Sequence, residues 1–152
     1  MLQKLNTKRA GFTLVEIMIV VAIIALLAAI AVPNFLRSRK RSQATQVLED
    51  LRIIDAALDQ YAIEYNRSGT TYATGGYNWQ DVAKYVKQDT RLYTTLIAAG
   101  PGGQAFDILG NPFNSGPATI ETPAGVLRLG VADATFAALS DVAPAEFWSP
   151  YK

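Results

Sequence analysis

Between Phe12 and Leu36 the chain holds one ionisable side chain, Glu16, and a carboxylate in so apolar a run needs a chemical reason. Ionisable groups placed in hydrocarbon are costly and usually face a partner. Two readings of the residues stand side by side. In one, Glu16 lies near a helix end and reaches back to the polar boundary. In the other it pairs with a positive group, and cutting the chain after Gly11 would create one as a new ammonium on Phe12, four residues away. A carboxylate and an ammonium on neighbouring helices would compensate each other and set the axial register of packing. Spacing alone favours neither reading.

Little else in the chain points to chemistry. Histidine and cysteine are both absent. That removes the usual general base, the commonest zinc ligands, a thiol nucleophile, disulfides and a lipid-modified cysteine. Catalysis would have to rest on carboxylates, lysine or tyrosine, with Asp107 and Glu121 as a pairing that no motif supports. The Gly100–Gly103 run GPGG has neither the Lys-Ser/Thr pair nor the strand-to-helix setting of a phosphate loop. The expectation is a protein that is not an enzyme, with no catalytic residue, no metal and no cofactor.

The element that carries Glu16 is long. Residues 12–32 make 21 nearly uninterrupted apolar positions, and as a helix rising about 1.5 Å per residue they span roughly 31 Å, the hydrocarbon thickness of a bilayer. A secretory signal is the competing reading, but its apolar region runs only to about 7–15 residues. Lys4, Lys8 and Arg9 precede the run and Arg37, Arg39, Lys40 and Arg41 follow it. The count of flanking cations therefore does not settle orientation. The second cluster reads as a membrane-interface group contacting lipid headgroups, or as a partner for an acidic face of a neighbouring subunit. Pro33 lacks an amide donor and clashes with the carbonyl one turn earlier, so a kink or local melting is expected there.

The run GFTLVEIMIVVAIIALLAAIAVPNF, with a short basic leader before it, resembles the N-terminus of type IV prepilins and of type II secretion pseudopilins. The resemblance is strong over residues 8–36, plausible as a pattern through the following helix and weak beyond it. It implies a leader in the cytoplasm, cleavage between Gly11 and Phe12 by a prepilin peptidase, and N-methylation of Phe12. It also implies assembly through Thr13 and Glu16 and an extensible stretch at Pro33. The partners implied are other pilins, the peptidase, an inner-membrane assembly platform and, before assembly, membrane lipid. The localisation implied is a single-pass inner-membrane protein with its head outside the cytoplasm, and afterwards a cell-surface or periplasmic filament.

The rest of the chain reads as a spine and a head. Ala44, Val47, Leu48, Leu51, Ile54, Leu58, Tyr61 and Tyr65 recur every three or four residues, an amphipathic helix with Gly69 as its stop. Thr70–Asn78 reads as a loop, and Asn78 can cap a helix over Trp79–Gln88 with Trp79, Val82, Ala83 and Val86 on one face. Leu109–Pro112 reads as a turn, Ala118–Glu121 and Val126–Val131 as strands, and Asp133 as the cap of a short helix through Leu139. Phe147, Trp148 and Tyr151 are expected to pin the C-terminus. The fold class expected is α+β, a long N-terminal helix packed on a small antiparallel sheet, pilin-like as the resemblance implies. Its parts are a leader (1–11), an assembly helix (12–33), an amphipathic continuation (34–68) and a globular head (69–152).

Within the head, Asp107–Phe113 (DILGNPF) resembles the turn of major pseudopilins that precedes a calcium loop. The last twenty residues hold only Asp133, Asp141 and Glu146 as acids, so no calcium site is expected. After Arg41 the chain has seven cations against twelve acids, a net of five negative charges, and such a head is a poor general nucleic-acid surface. The leading reading is a structural filament subunit, with a secretion pseudopilin as the variant within that class. The alternative from another class is a membrane-anchored binding module.

Overall fold

The structure, a computed structural model, describes residues 11–65, 79–100, 103–115 and 129–152. The chain divides into two compact units, Met1–Ser38 and Arg39–Lys152. Helix α1, Leu14–Glu64, is 51 residues long and contributes to both.

In the first unit the helix is apolar all round, and no residue of its 18-residue window of membrane-like composition is buried by the other described residues. Leu14, Val15, Ile17, Met18 and the large apolar residues after them as far as Leu36 are exposed. A helix with no polar face needs an apolar surrounding on every side. Pro33 sits inside α1 without interrupting it. The local melting expected there is absent, because one proline removes a single donor, to the carbonyl of Ala29, while the neighbouring turns keep theirs.

In the second unit the amphipathic pattern directs packing. Ala44, Val47, Leu48, Leu51, Ile54, Leu58 and Tyr61 are buried as their spacing implies, and Ala57 and Ala62 join them. Tyr65 departs from the expectation: it lies beyond the helix end and is 42% exposed, its ring 4.6 Å from that of Tyr61.

Against this face pack short elements. Helix α2, Trp79–Ala83, buries Trp79, Val82 and Ala83. It is shorter than the expected Trp79–Gln88, because the amides of Lys84, Tyr85 and Val86 bond back three residues instead of four. These tight turns still bring Val86 into the core. The Trp79 indole N–H donates to the Gly103 carbonyl at 2.9 Å, which satisfies its polar edge. Helix α3, Arg91–Ala99, starts where the Thr90 side chain accepts from the Tyr93 amide, an N-cap the sequence reading did not single out.

Strands β1, Asn114–Ser115, and β2, Leu129–Gly130, pair antiparallel, Asn114 opposite Gly130 and Ser115 opposite Leu129. The described residues are otherwise mostly helical, with one isolated bridge between Phe106 and Pro112. Gly69, Asn78, the expected Ala118–Glu121 strand and residues 126–128 of the next lie outside the described residues. Helix α4, Asp133–Leu139, begins at the residue expected to cap it, one position earlier than anticipated. Ala132 occupies the cap position with no side-chain bond, and Asp133 is the first helical residue, where its charge suits the helix dipole.

The C-terminal segment is held as anticipated. Trp148, in a short 3-10 turn over Ala145–Trp148, is fully buried, and its indole donates to the Ala143 carbonyl at 3.1 Å. Val131 N–H donates to the Tyr151 carbonyl at 3.1 Å, and the Tyr151 hydroxyl reaches Asp55 of α1 at 3.4 Å.

At the far end of α1 the Tyr85 hydroxyl donates to the Glu64 carboxylate. That bond, followed by desolvation, pushes the phenol up to about 12. The hydrogen bond's contribution is therefore complete below the ordinary phenol range and is lost as pH rises from about 10 through about 12. An ultraviolet titration of the chain minus that of Tyr85→Phe should isolate one late tyrosine; a difference curve centred near the ordinary phenol value would contradict the contact.

Candidate assembly segment

Gly11, Phe12 and Thr13 precede α1 and are exposed, Phe12 at 79%. The helix begins with a reciprocal cap. Thr13 Oγ1 accepts from the Glu16 amide at 3.3 Å, while Glu16 Oε2 accepts from the Thr13 amide at 3.3 Å and from the Thr13 hydroxyl at 3.2 Å. Thr and Glu three residues apart form such a capping box because each satisfies an amide that the first helical turn leaves free. The Glu16 carboxylate is thus held at the helix start. Gly11, Phe12, Thr13 and Glu16 fall together at one end of the segment, whereas Pro33 lies well along it.

The basic cluster is divided. Lys40 donates to both carboxylate oxygens of Asp141, at 3.1 and 3.0 Å. Arg37, Arg39 and Arg41 are exposed. The partner of Lys40 lies 101 residues away, so nothing local in the sequence announces it.

The Asp107–Phe113 turn is a second built feature. The Asp107 carboxylate is 4% exposed. One oxygen accepts from the amides of Leu109 at 2.8 Å and Asn111 at 3.0 Å, and the other from the Thr135 hydroxyl. Asn111 Nδ2 donates to Thr135 Oγ1 at 2.8 Å. This is an Asp side chain holding its own turn, closed from outside by α4, and it gives Asp107 a structural duty. Gly110 takes φ +80 at the turn, with open space where a Cβ would project. Gly110→Ala should therefore cost only the left-handed backbone penalty, about 1–2 kcal/mol. Denaturant unfolding of the full chain in micelles checks this, and an unchanged midpoint would contradict the turn geometry.

Beside α1, Arg91 pairs with Asp50, and an open groove of about 540 Å³ is lined by Thr45, Gln46, Glu49, Asp50, Arg91 and Ile108. Burial pushes the Asp50 carboxyl up by more than the Arg91 guanidinium pulls it down, and nearby Asp107 adds to the rise. The pair is an ordinary desolvated structural pair. Among the described residues no group of three metal-ligating side chains comes together.

The arrangement at the start of α1 coincides with a known pattern: residues 6–32 match the family model for the prokaryotic N-terminal methylation motif. The chain carries a prepilin-type methylation motif. Matches to curated relatives run over a longer stretch. Type II secretion system core protein G of Klebsiella pneumoniae is 38% identical over 64 residues, 42% of this chain and 46% of the relative. Type IV major pilin protein PilA of Myxococcus xanthus is 42% identical over 64 residues, 42% of this chain and 29% of the relative. The core protein G of Escherichia coli is 36% identical over 64 residues. The chain spans less than half the length of these curated relatives. No solved structure matches it. The methylation motif thus sits on the capped start of α1 and on the exposed apolar helix that follows.

Proposed function

We propose that the chain is a structural subunit of a type IV pilus-like filament, held in the membrane by α1 and then polymerised through it. One observation carries this reading: the methylation motif opens a helix whose apolar residues are left exposed by the described residues. Lipid can cover that surface before assembly and the helices of neighbouring subunits afterwards. Residues 1–11 are the leader, 12–33 the assembly helix, 34–68 its continuation and 69–152 the head, in which β1 and β2 belong to a small antiparallel sheet leaning on α1.

In this reading prepilin peptidase cuts between Gly11 and Phe12 and Phe12 is N-methylated. Glu16, held by Thr13, meets the Phe12 ammonium of the next subunit, and Pro33 is where the rod loosens once it bears load. The subunit starts as a single-pass inner-membrane protein with its head outside the cytoplasm. It then joins an assembly platform and other pilins in a surface or periplasmic fibre. Mass spectrometry of sheared filaments should find a chain beginning at methylated Phe12; chains that retain Met1 would defeat the proposal.

A second reading within the class, a type II secretion pseudopilin, draws on the Asp107–Phe113 turn. A strain lacking the gene that loses protein secretion but no surface fibres would favour it, and loss of surface fibres the pilus.

A further inference from the structure

In the second unit one face of α1 is left bare. Gln46, Glu49, Ile53, Ala56, Gln60 and Ile63 follow one another at steps of three or four residues, so they form a single row along the helix, and all are exposed. Nine residues carry a helix through about 900°, a net half turn, so Ile63 points away from Ile54, which is fully buried in the core. The row is therefore the side of α1 turned from the core, and Ile53 and Ile63 stand 44% and 75% exposed on it. Its first part borders the open groove of about 540 Å³, where the small side chains of Ser42 and Thr45 leave room.

Two isoleucines in water forgo the stabilisation that burial would give. Lipid suits this face poorly, because Glu49 with its partner Arg52, 2.6 Å away, and the Asp50–Arg91 pair beside the groove would lie in hydrocarbon. A single apolar helix suits it better: it covers a strip about 10 Å wide and leaves those pairs at its rim in water. The chain itself supplies such a helix. Its apolar run, residues 12–32, needs cover on every side and spans roughly 31 Å, and the bare face from Ser42 to Ile63 is about 31 Å long as well. The other large apolar side chains exposed among the described residues of the second unit, Tyr65, Ile97 and Phe106, offer no such length; α3, which carries Ile97, has nine residues.

We propose that the bare face of α1 from Ser42 to Ile63 is a docking trough for the apolar run of a second copy of this chain. This rests on the filament reading and adds the surface that receives the run. With the copies parallel, matching the two lengths end to end sets Phe12 of one beside Ser42 of the other, an offset of about 30 residues or about 45 Å. Contact between Glu16 and Phe12 needs an offset of about four residues, about 6 Å. The docked run therefore belongs to a subunit further along the fibre than the one paired at Glu16.

The chain has no cysteine, so two introduced ones are its only thiols. Sheared fibres of a chain carrying Ile23→Cys and Ile53→Cys are treated with a bis-maleimide spanning about 8 Å, close to the distance between packed helix axes, and linked peptides are identified by mass spectrometry. Positions 23 and 53 lie about 45 Å apart along one helix, so a link joining them is a link between subunits, and it is the result expected. Ile23→Cys combined with Asp89→Cys, on the exposed surface of the head, should give none. Ile53→Asp and Ile63→Asp should each lower fibre yield about tenfold or more, because the new carboxylate would face an apolar helix, while Ile97→Asp should not. All three isoleucines are exposed, so the unfolding midpoint in micelles should stay where it is. Undiminished fibres from Ile53→Asp and Ile63→Asp, or a link at 89 in place of 53, would overturn this proposal and leave the filament reading standing. A wild-type chain that never forms fibres overturns both.

Discussion

Glu16→Ala is expected to abolish fibres while the chain still enters the membrane and is still processed. If the carboxylate meets the Phe12 ammonium of the next subunit, alanine leaves that ammonium unpaired in an apolar bundle. Breaking a buried pair from one side costs about 3–5 kcal/mol, a fall of roughly a hundredfold to several thousandfold in each subunit's affinity for the growing end. The same substitution also removes one arm of the Thr13–Glu16 cap. That loss is worth only about 1 kcal/mol, and a 51-residue helix tolerates it. Glu16→Gln separates the two effects: an amide oxygen can still accept from the Thr13 amide, but it carries no charge for the ammonium. Electron microscopy of sheared fractions, with membrane fractionation alongside, measures both. Normal fibres from Glu16→Gln would show that the charge is dispensable; absent fibres from both variants, with normal membrane levels, is the result expected.

The second large effect lies in the head. Asp107→Ala strands the Leu109 and Asn111 amides and the Thr135 hydroxyl, all of which donate to that carboxylate. Each buried donor left without a partner costs about 1–3 kcal/mol, and because the two amide bonds are only partly buried a total toward the low end, about 3–5 kcal/mol, is expected. That is a large share of a domain's typical stability of about 5–15 kcal/mol. Asp107→Asn should be milder, about 1–2 kcal/mol, because its oxygen can serve both amides while only the Thr135 proton loses its acceptor. Tryptophan fluorescence during denaturant unfolding reports on this directly, since Trp79 and Trp148 are both buried. A loss below about 1 kcal/mol for the alanine variant would mean that water replaces the carboxylate and that the network is not a structural anchor.

Much of this was legible in the chain itself, wherever the physics is local. The length and apolarity of residues 12–32 define a membrane-length helix because hydrocarbon thickness and helical rise are constants. The three-and-four spacing from Ala44 to Tyr61 names the buried face of α1 because helical periodicity needs no partner to be read. The Leu109–Pro112 turn is likewise short-range, as is the Thr13–Glu16 cap, which emerged only with the structure.

What only the tertiary structure decided are pairings across long separations. Sequence spacing placed Lys40 among the interface cations, but Asp141 claims it. Asp107 could be read as a candidate acid until Thr135, 28 residues on, closed its turn. At Pro33 a kink or local melting was expected, and the helix runs through it because one missing bond is outweighed by the unbroken turns on either side. Residues far apart in the chain meet only when the core brings their backbones together, and neither periodicity nor composition encodes that meeting. The capped, uncovered N-terminal helix of this protein was written in its first thirty-six residues, while the internal commitments of its charges were written only in the fold.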